Sequence, residues 1–141
     1  MLLKSITLLT LIQSIPWSVL LMTNIIMIFN TTMKTILLLI ASNFFMTFAW
    51  YGHLKTLNNK PVYLAILVSW SIAFFEYLLQ VPANRIGYRQ FDLAQLKIIQ
   101  EIITMCVFAC FAYYYMNKPL GLNFLCAGLC MIGAAYFVFK N

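Results

Sequence analysis

Few side chains in this chain could do chemistry, because only 9% of its residues are charged and it holds a single histidine. Glu76 is the leading one. It stands in Phe74-Phe75-Glu76-Tyr77, inside a run that is otherwise apolar or small. Acids in such a run are expensive, and by default mark a binding or proton-transfer site. Ser69, Ile72, Ala73 and Gln80 share its face at helical spacing. A carboxylate there could exchange a proton for a cation, or it could serve as a structural partner for Arg85 or Lys97; the spacing leaves both readings open. Glu101 is the second acid. Lys97 precedes it by four residues, which favours a structural ion pair along one helix. Asn43, Thr47 and Trp50 share another face and either line a path, with the indole offering cation–π contact, or bond neighbouring helices. Trp70 is a further aromatic candidate for a path wall.

Other chemistries find little support. The cysteines fall in two pairs, Cys106/Cys110 and Cys126/Cys130. A tetrathiolate metal site can be drawn from them, but small, easily buried residues that let helices approach closely are the simpler account, with Ala134 continuing the second stripe. Hence no metal, no cofactor and no catalytic residue is expected. His53 has no second histidine to share a metal. No dinucleotide, phosphate-loop or hydrolase motif is present, and an enzyme is not expected.

These residues are carried on apolar runs. With 64% hydrophobic residues in a chain of 141, a soluble fold would expose large apolar patches to water. One bilayer crossing needs about 20 apolar residues. Runs are visible over Ser5–Phe29, Thr35–Leu54, Pro61–Val81, Leu93–Met116 and Pro119–Phe139. The fold class expected is all-α: a polytopic transmembrane bundle with a four-helix core and one additional N-terminal apolar helix. Pro61 and Pro119 suit first helical positions. Phe91-Asp92-Leu93-Ala94-Gln95-Leu96 reads as a capping box with a hydrophobic staple, and Pro82 predicts a stop near Val81. The links are short, so successive helices should be antiparallel neighbours. The end of the Pro61–Val81 run then lies beside the start of the next. That places Gln80, Arg85, Lys97 and Glu101 toward one side as a candidate polar gate.

The N-terminal run carries Gln13, Pro16 and Asn24, and Met33-Lys34-Thr35 before a clean apolar run reads as an ordinary start. Residues 1–32 are therefore expected to be an added helix or an upstream extension, and residues 33–141 the four-helix domain. The net charge of +6 is scattered between runs rather than gathered on one face, which fits orientation against headgroups and not nucleic-acid binding. Lys34, Arg85, Arg89, Lys97 and Lys140 fall on one side, and Lys55, Lys60 and Lys118 on the other. That small bias puts the first set in the cytoplasm.

From Met33 onward the chain resembles the short four-helix members of the drug/metabolite transporter superfamily, nearest to a bacterial branch of membrane proteins of unknown function. The resemblance rests on Ser42-Asn43-Phe44-Phe45-Met46-Thr47-Phe48-Ala49-Trp50-Tyr51-Gly52-His53-Leu54-Lys55, on Ser69 to Tyr77 running into Gln80-Val81-Pro82-Ala83-Asn84-Arg85, and on Gln95 to Glu101. It implies a bacterial inner-membrane protein that moves a small molecule by alternating access, as a homodimer. The related small multidrug exporters carry an essential glutamate in the first helix. Here Ala41-Ser42-Asn43-Phe44 holds no acid, which leaves Glu76 to couple transport if coupling exists. The rival expectation is a structural or accessory membrane protein that transports nothing.

Overall fold

The computed structural model describes residues 16–140. Helix α1 covers Trp17–Thr47 and runs on through a π-helical segment, Phe48–Gly52, into the short α2, His53–Thr56. Helix α3 covers Val62–Gly87. Helix α4, Leu93–Cys110, ends in a second π segment, Phe111–Tyr115. Helix α5 covers Leu122–Phe139. Each of the four continuous helical stretches is long and apolar enough to cross a membrane. The chain is a multi-pass α-helical membrane protein.

Several ends match their local chemistry. Pro61 is the N-cap of α3. Before α4 the capping box forms: the Asp92 amide donates to Gln95 Oε1 at 3.1 Å. Phe91 packs beside Leu96 in the cluster of Leu39, Ala83 and Leu96. Three expected boundaries move. Pro82 does not stop α3, which continues to Gly87; a proline is tolerated in a spanning helix where neighbouring groups satisfy the freed backbone. The last helix starts at Leu122 after Gly121, three residues beyond Pro119, because the left-handed Asn117 (φ 53°) and an extended stretch intervene.

The third change lies at the N-terminus. The helix expected over Ser5–Phe29 falls partly outside the described residues. Its described part joins α1 without the break expected between Phe29 and Thr35. The polar residues there are held by the helix and its neighbour. Thr31 Oγ1 donates to Met27 O (2.8 Å), and Thr32 Oγ1 to Gln90 Oε1 (2.7 Å). Forty helical residues from Trp17 to Thr56 span about 60 Å, twice the hydrocarbon thickness of about 30 Å. Every residue from Pro16 to Asn30 is exposed, and burial begins at Thr35.

The helices form a row with α1 in its middle. Helix α3 packs along one flank of α1, α4 along the other, and α5 mainly on α4. The antiparallel α3 and α4 meet through Ala83, Gly87 and Leu96 at their linked ends. The rows of charge separate as expected. Gly87 lies against Thr35, and Phe91 against Phe139 (6.4 Å between ring centroids), which gathers Lys34, Arg85, Arg89, Lys97 and Lys140 at one end. At the other end the Lys55 ammonium donates to the Tyr115 carbonyl and sits 4.6 Å from that ring's centroid.

Gly87 is the tightest point of the row. A Cβ there would stand 2.8 Å from both Leu96 Cδ1 and Thr35 Cγ2, whereas a Cβ on Gly133 meets nothing within 4 Å. Gly87→Ala is expected to destabilise the protein by about 1–3 kcal/mol, and Gly133→Ala to be neutral or to gain up to about 1 kcal/mol from helix propensity. Unfolding of the detergent-solubilised variants measures both. Equal stability of the two would contradict the packing described.

Candidate functional site

The largest fully buried side chains among the described residues form one column on α1. Thr35, Leu39, Ser42, Asn43 and Thr47 are all under 2% exposed, and four of the five are polar. Each polar member has a bonding partner. Thr35 Oγ1 donates to Thr31 O (3.0 Å) and Thr47 Oγ1 to Asn43 O (2.8 Å), both within the helix. Ser42 Oγ reaches α3, donating to Gln80 Oε1 at 2.7 Å with the Glu76 carbonyl 3.3 Å away as a second acceptor. The Gln80 amide passes its own N–H to Asn84 Oδ1 (3.3 Å). Asn43 donates to Leu39 O (2.8 Å) and accepts from the Thr104 hydroxyl of α4. Thr104 can turn instead to Gln100 O at 2.8 Å. Mid-membrane, then, α1 is bonded to α3 on one side and to α4 on the other. Among the described residues no buried side-chain N or O lacks a partner.

Beside the α4 bond lies a cleft of about 370 Å³ between α1, α4 and α5. Thr47, Trp50, Glu101, Thr104, Phe108 and Phe124 are among its lining residues. Tyr51, also in the lining, packs edge-on against Phe108 at 5.2 Å. The cleft thus offers a carboxylate, hydroxyls and aromatic faces together. Glu101 is bonded there to Lys97, one turn earlier on the same helix, and this is the one ion pair among the described residues.

The sequence candidates are divided by this geometry. Trp50 and Glu101 share the cleft, and Asn43 stands behind it through Thr104. Glu76 and Trp70 lie on α3, across α1 from the cleft. Glu76 is half-buried at the level of Ser42, and its carboxylate makes no hydrogen bond or ion pair among the described residues. Trp70 is 70% exposed on the outside of the protomer. The gate candidates separate likewise. Arg85 and Lys97 border one cleft, Gln80 turns inward to Ser42 and Asn84, and Glu101 faces the other cleft. His53 Nδ1 lies 3.4 Å from Ser69 Oγ. The four cysteines are exposed free thiols, and no metal-ligating group gathers among the described residues.

Beyond Thr47 the period of the helix changes. Trp50, expected on the face of Asn43 and Thr47, lines the cleft with Thr47 but is 65% exposed, while Ala49 and Gly52 are buried. The buried series runs 39, 43, 47 and then 52, a last step of five residues. That step is the π-helical period, i to i+5, and the Phe48–Gly52 segment supplies it. Thr104 is the polar contact that sequence reasoning missed. Its signal was available: a buried asparagine in lipid needs a partner, and Thr104 is a hydroxyl at mid-span of the facing helix.

Four spanning helices tied by a polar layer at mid-depth, with a half-open cleft beside it, define a small polytopic membrane protein. The family model DMT_6, described as "Putative member of DMT superfamily (DUF486)", matches residues 35–139, and the chain belongs to that family. No curated protein and no solved structure matches the chain.

The Asn43–Thr104 bond can be weighed directly. In a double-mutant cycle of Asn43→Ala and Thr104→Val, the coupling energy is expected at about 0.5–1.5 kcal/mol, the range of interhelical bonds in membranes. Unfolding in mixed micelles measures it; a coupling of zero would mean that the bond does not join α1 to α4.

Proposed function

We propose that the chain is the protomer of a small secondary transporter in the bacterial inner membrane, working by alternating access as a homodimer. The observation that carries this reading is the mid-membrane cleft of Thr47, Trp50, Thr104 and Glu101, an aromatic and acidic recess between spanning helices. Membership in a family assigned to the drug/metabolite transporter superfamily supports it. So does the row arrangement. Among the described residues α3 and α4 stand apart beyond their linked ends, so a second copy would supply the missing wall. Trp70, on the outer side of α3, would join a path only through that copy.

In this reading the two acids take different parts. Glu101, neutralised by Lys97, is a fixed element of the cleft wall. Among the described residues Glu76 has no partner, so it is the group that couples transport, with Gln80 one turn further along α3. Trp50 supplies the aromatic face for substrate.

The test is a current and flux assay on purified protein in liposomes, over a panel of cations, amines and metabolites. Glu76→Gln should abolish coupled current, and Trp50→Ala should raise the half-saturating concentration several-fold, as loss of an aromatic contact of about 1 kcal/mol does. Full coupled transport by Glu76→Gln would defeat the coupling role. A second reading, an accessory protein that transports nothing, draws on the complete bonding of the buried polar groups. It predicts no flux for any member of the panel from protein that is folded and dimeric.

A further inference from the structure

The linked ends of α3 and α4 form a second recess with a different chemistry. It has a volume of about 510 Å³, and its lining includes Asn84, Arg85 and Tyr88 from α3 and Leu96, Lys97 and Gln100 from α4. No acid is in this lining. Among the described residues Arg85 has no carboxylate within ion-pair distance. Lys97 does, but its partner Glu101 lies toward the neighbouring cleft. Asn84 is oriented by its own bond: Gln80 donates to its Oδ1, which leaves the amide N–H groups as its free function. Tyr88 and Gln100 add a hydroxyl and an amide. The polar side of the recess can therefore present donors throughout, and two of those groups are cationic.

Donors converging around a guanidinium are the chemistry of phosphate recognition, since the guanidinium fork matches two phosphate oxygens at once. Depth and the apolar wall narrow the source of that phosphate. Arg85 is two residues before the end of α3, and Lys97 four residues into α4. Both thus stand within about 6 Å of their helix ends, at headgroup level. Leu93 and Leu96 give the recess an apolar wall, against which a soluble phosphate ester gains nothing and an acyl chain does. Lys34 and Arg89 belong to the same end and draw anionic lipid to that leaflet.

We propose that this recess is a binding site for the phosphate of an anionic phospholipid, with Arg85 as its principal contact and Lys97, Asn84 and Gln100 around it. The site is independent of whether the chain transports. A pattern of positive residues at one membrane face accounts for the presence of Arg85 and Lys97, but not for a lining of donors without an acid.

The test uses the full chain in micelles containing equal phosphatidylglycerol and phosphatidylcholine. Native mass spectrometry should show phosphatidylglycerol retained in preference. Arg85→Gln should lower that preference about fivefold, and Arg85→Gln with Lys97→Gln further, at about fivefold for each charge removed. Lys60→Gln with Lys118→Gln, at the other end, should leave it unchanged. A photoactivatable phosphatidylglycerol on the wild-type protein should label the Asn84–Gln100 stretch, a readout that needs no variant to fold. Equal retention of the two lipids, or labelling confined to other stretches, would overturn the proposal. Displacement of the lipid by millimolar glycerol phosphate would assign the site to a free phosphate ester and overturn the lipid source.

Discussion

In hydrocarbon, burying apolar surface does not draw helices together, because lipid tails are as apolar as leucine. What must be satisfied is every polar group that sits there. In this protein that constraint falls on one helix. Ser42, Asn43 and Thr47 of α1 are fully buried, with Thr35 below them, and two of their bonds leave the helix: Ser42 to Gln80 on one side and Asn43 to Thr104 on the other. The row follows from that. Helix α1 becomes the middle element because it bonds through polar groups on two flanks, while α5, with no fully buried residue, is held mainly by α4. The cleft beside Thr104 is a consequence of the same bond. It fixes how closely α1 and α4 approach, and α5 then closes a third side through Phe124 and Met131.

The two π segments give the row its other end. Phe48 of the first packs against Phe111 and Tyr115 of the second, at 5.0 Å in each case. The last carbonyls of a helix have no donor within it. Here the carbonyl of Tyr115 accepts from the Lys55 ammonium. One aromatic layer and one cation thus close the end opposite Arg85 and Lys97, and α1 and α4, two of the three helices that border the cleft, change their period at that level. Trp50 and Tyr51 reach the cleft from inside such a segment, so the π register decides which aromatic side chains face it.

How much of this the sequence carries depends on the kind of signal. The four-helix core was legible from composition and run length, because the bilayer sets element length almost alone. The start of α4 was legible because Asp92 and Gln95 act within three residues of each other. Separation of the charges into two ends was legible from short links. The end of α3 was not. A proline predicts a stop when water takes the freed groups, and in lipid the neighbours set the outcome. The π segments were not legible either, since no residue type demands one and an aromatic run such as Phe111-Ala112-Tyr113-Tyr114-Tyr115 reads equally as plain helix. The candidate site was half legible: the residues were named, but which of them meet depends on helix order, and short links do not show that α4 packs against α1 rather than along α3.

The two acids show what helix order adds. Glu101 finds its cation on its own helix, four residues away, so its compensation is local and survives any rearrangement of the bundle. Glu76 has no such recourse: the residues three and four away on α3 are Ile72, Ala73, Leu79 and Gln80, none of them cationic. An ionised carboxylate near mid-bilayer costs about 2–3 kcal/mol even where helix insertion is permissive. Nothing on α3 offsets that cost, and the α1 groups nearby are already spent, since Ser42 bonds Gln80 and Asn43 faces α4. Among the described residues Glu76 therefore has no cationic partner and no hydrogen-bond donor to its carboxylate. This is the property that separates Glu76 from Glu101, although both are single acids on apolar helices.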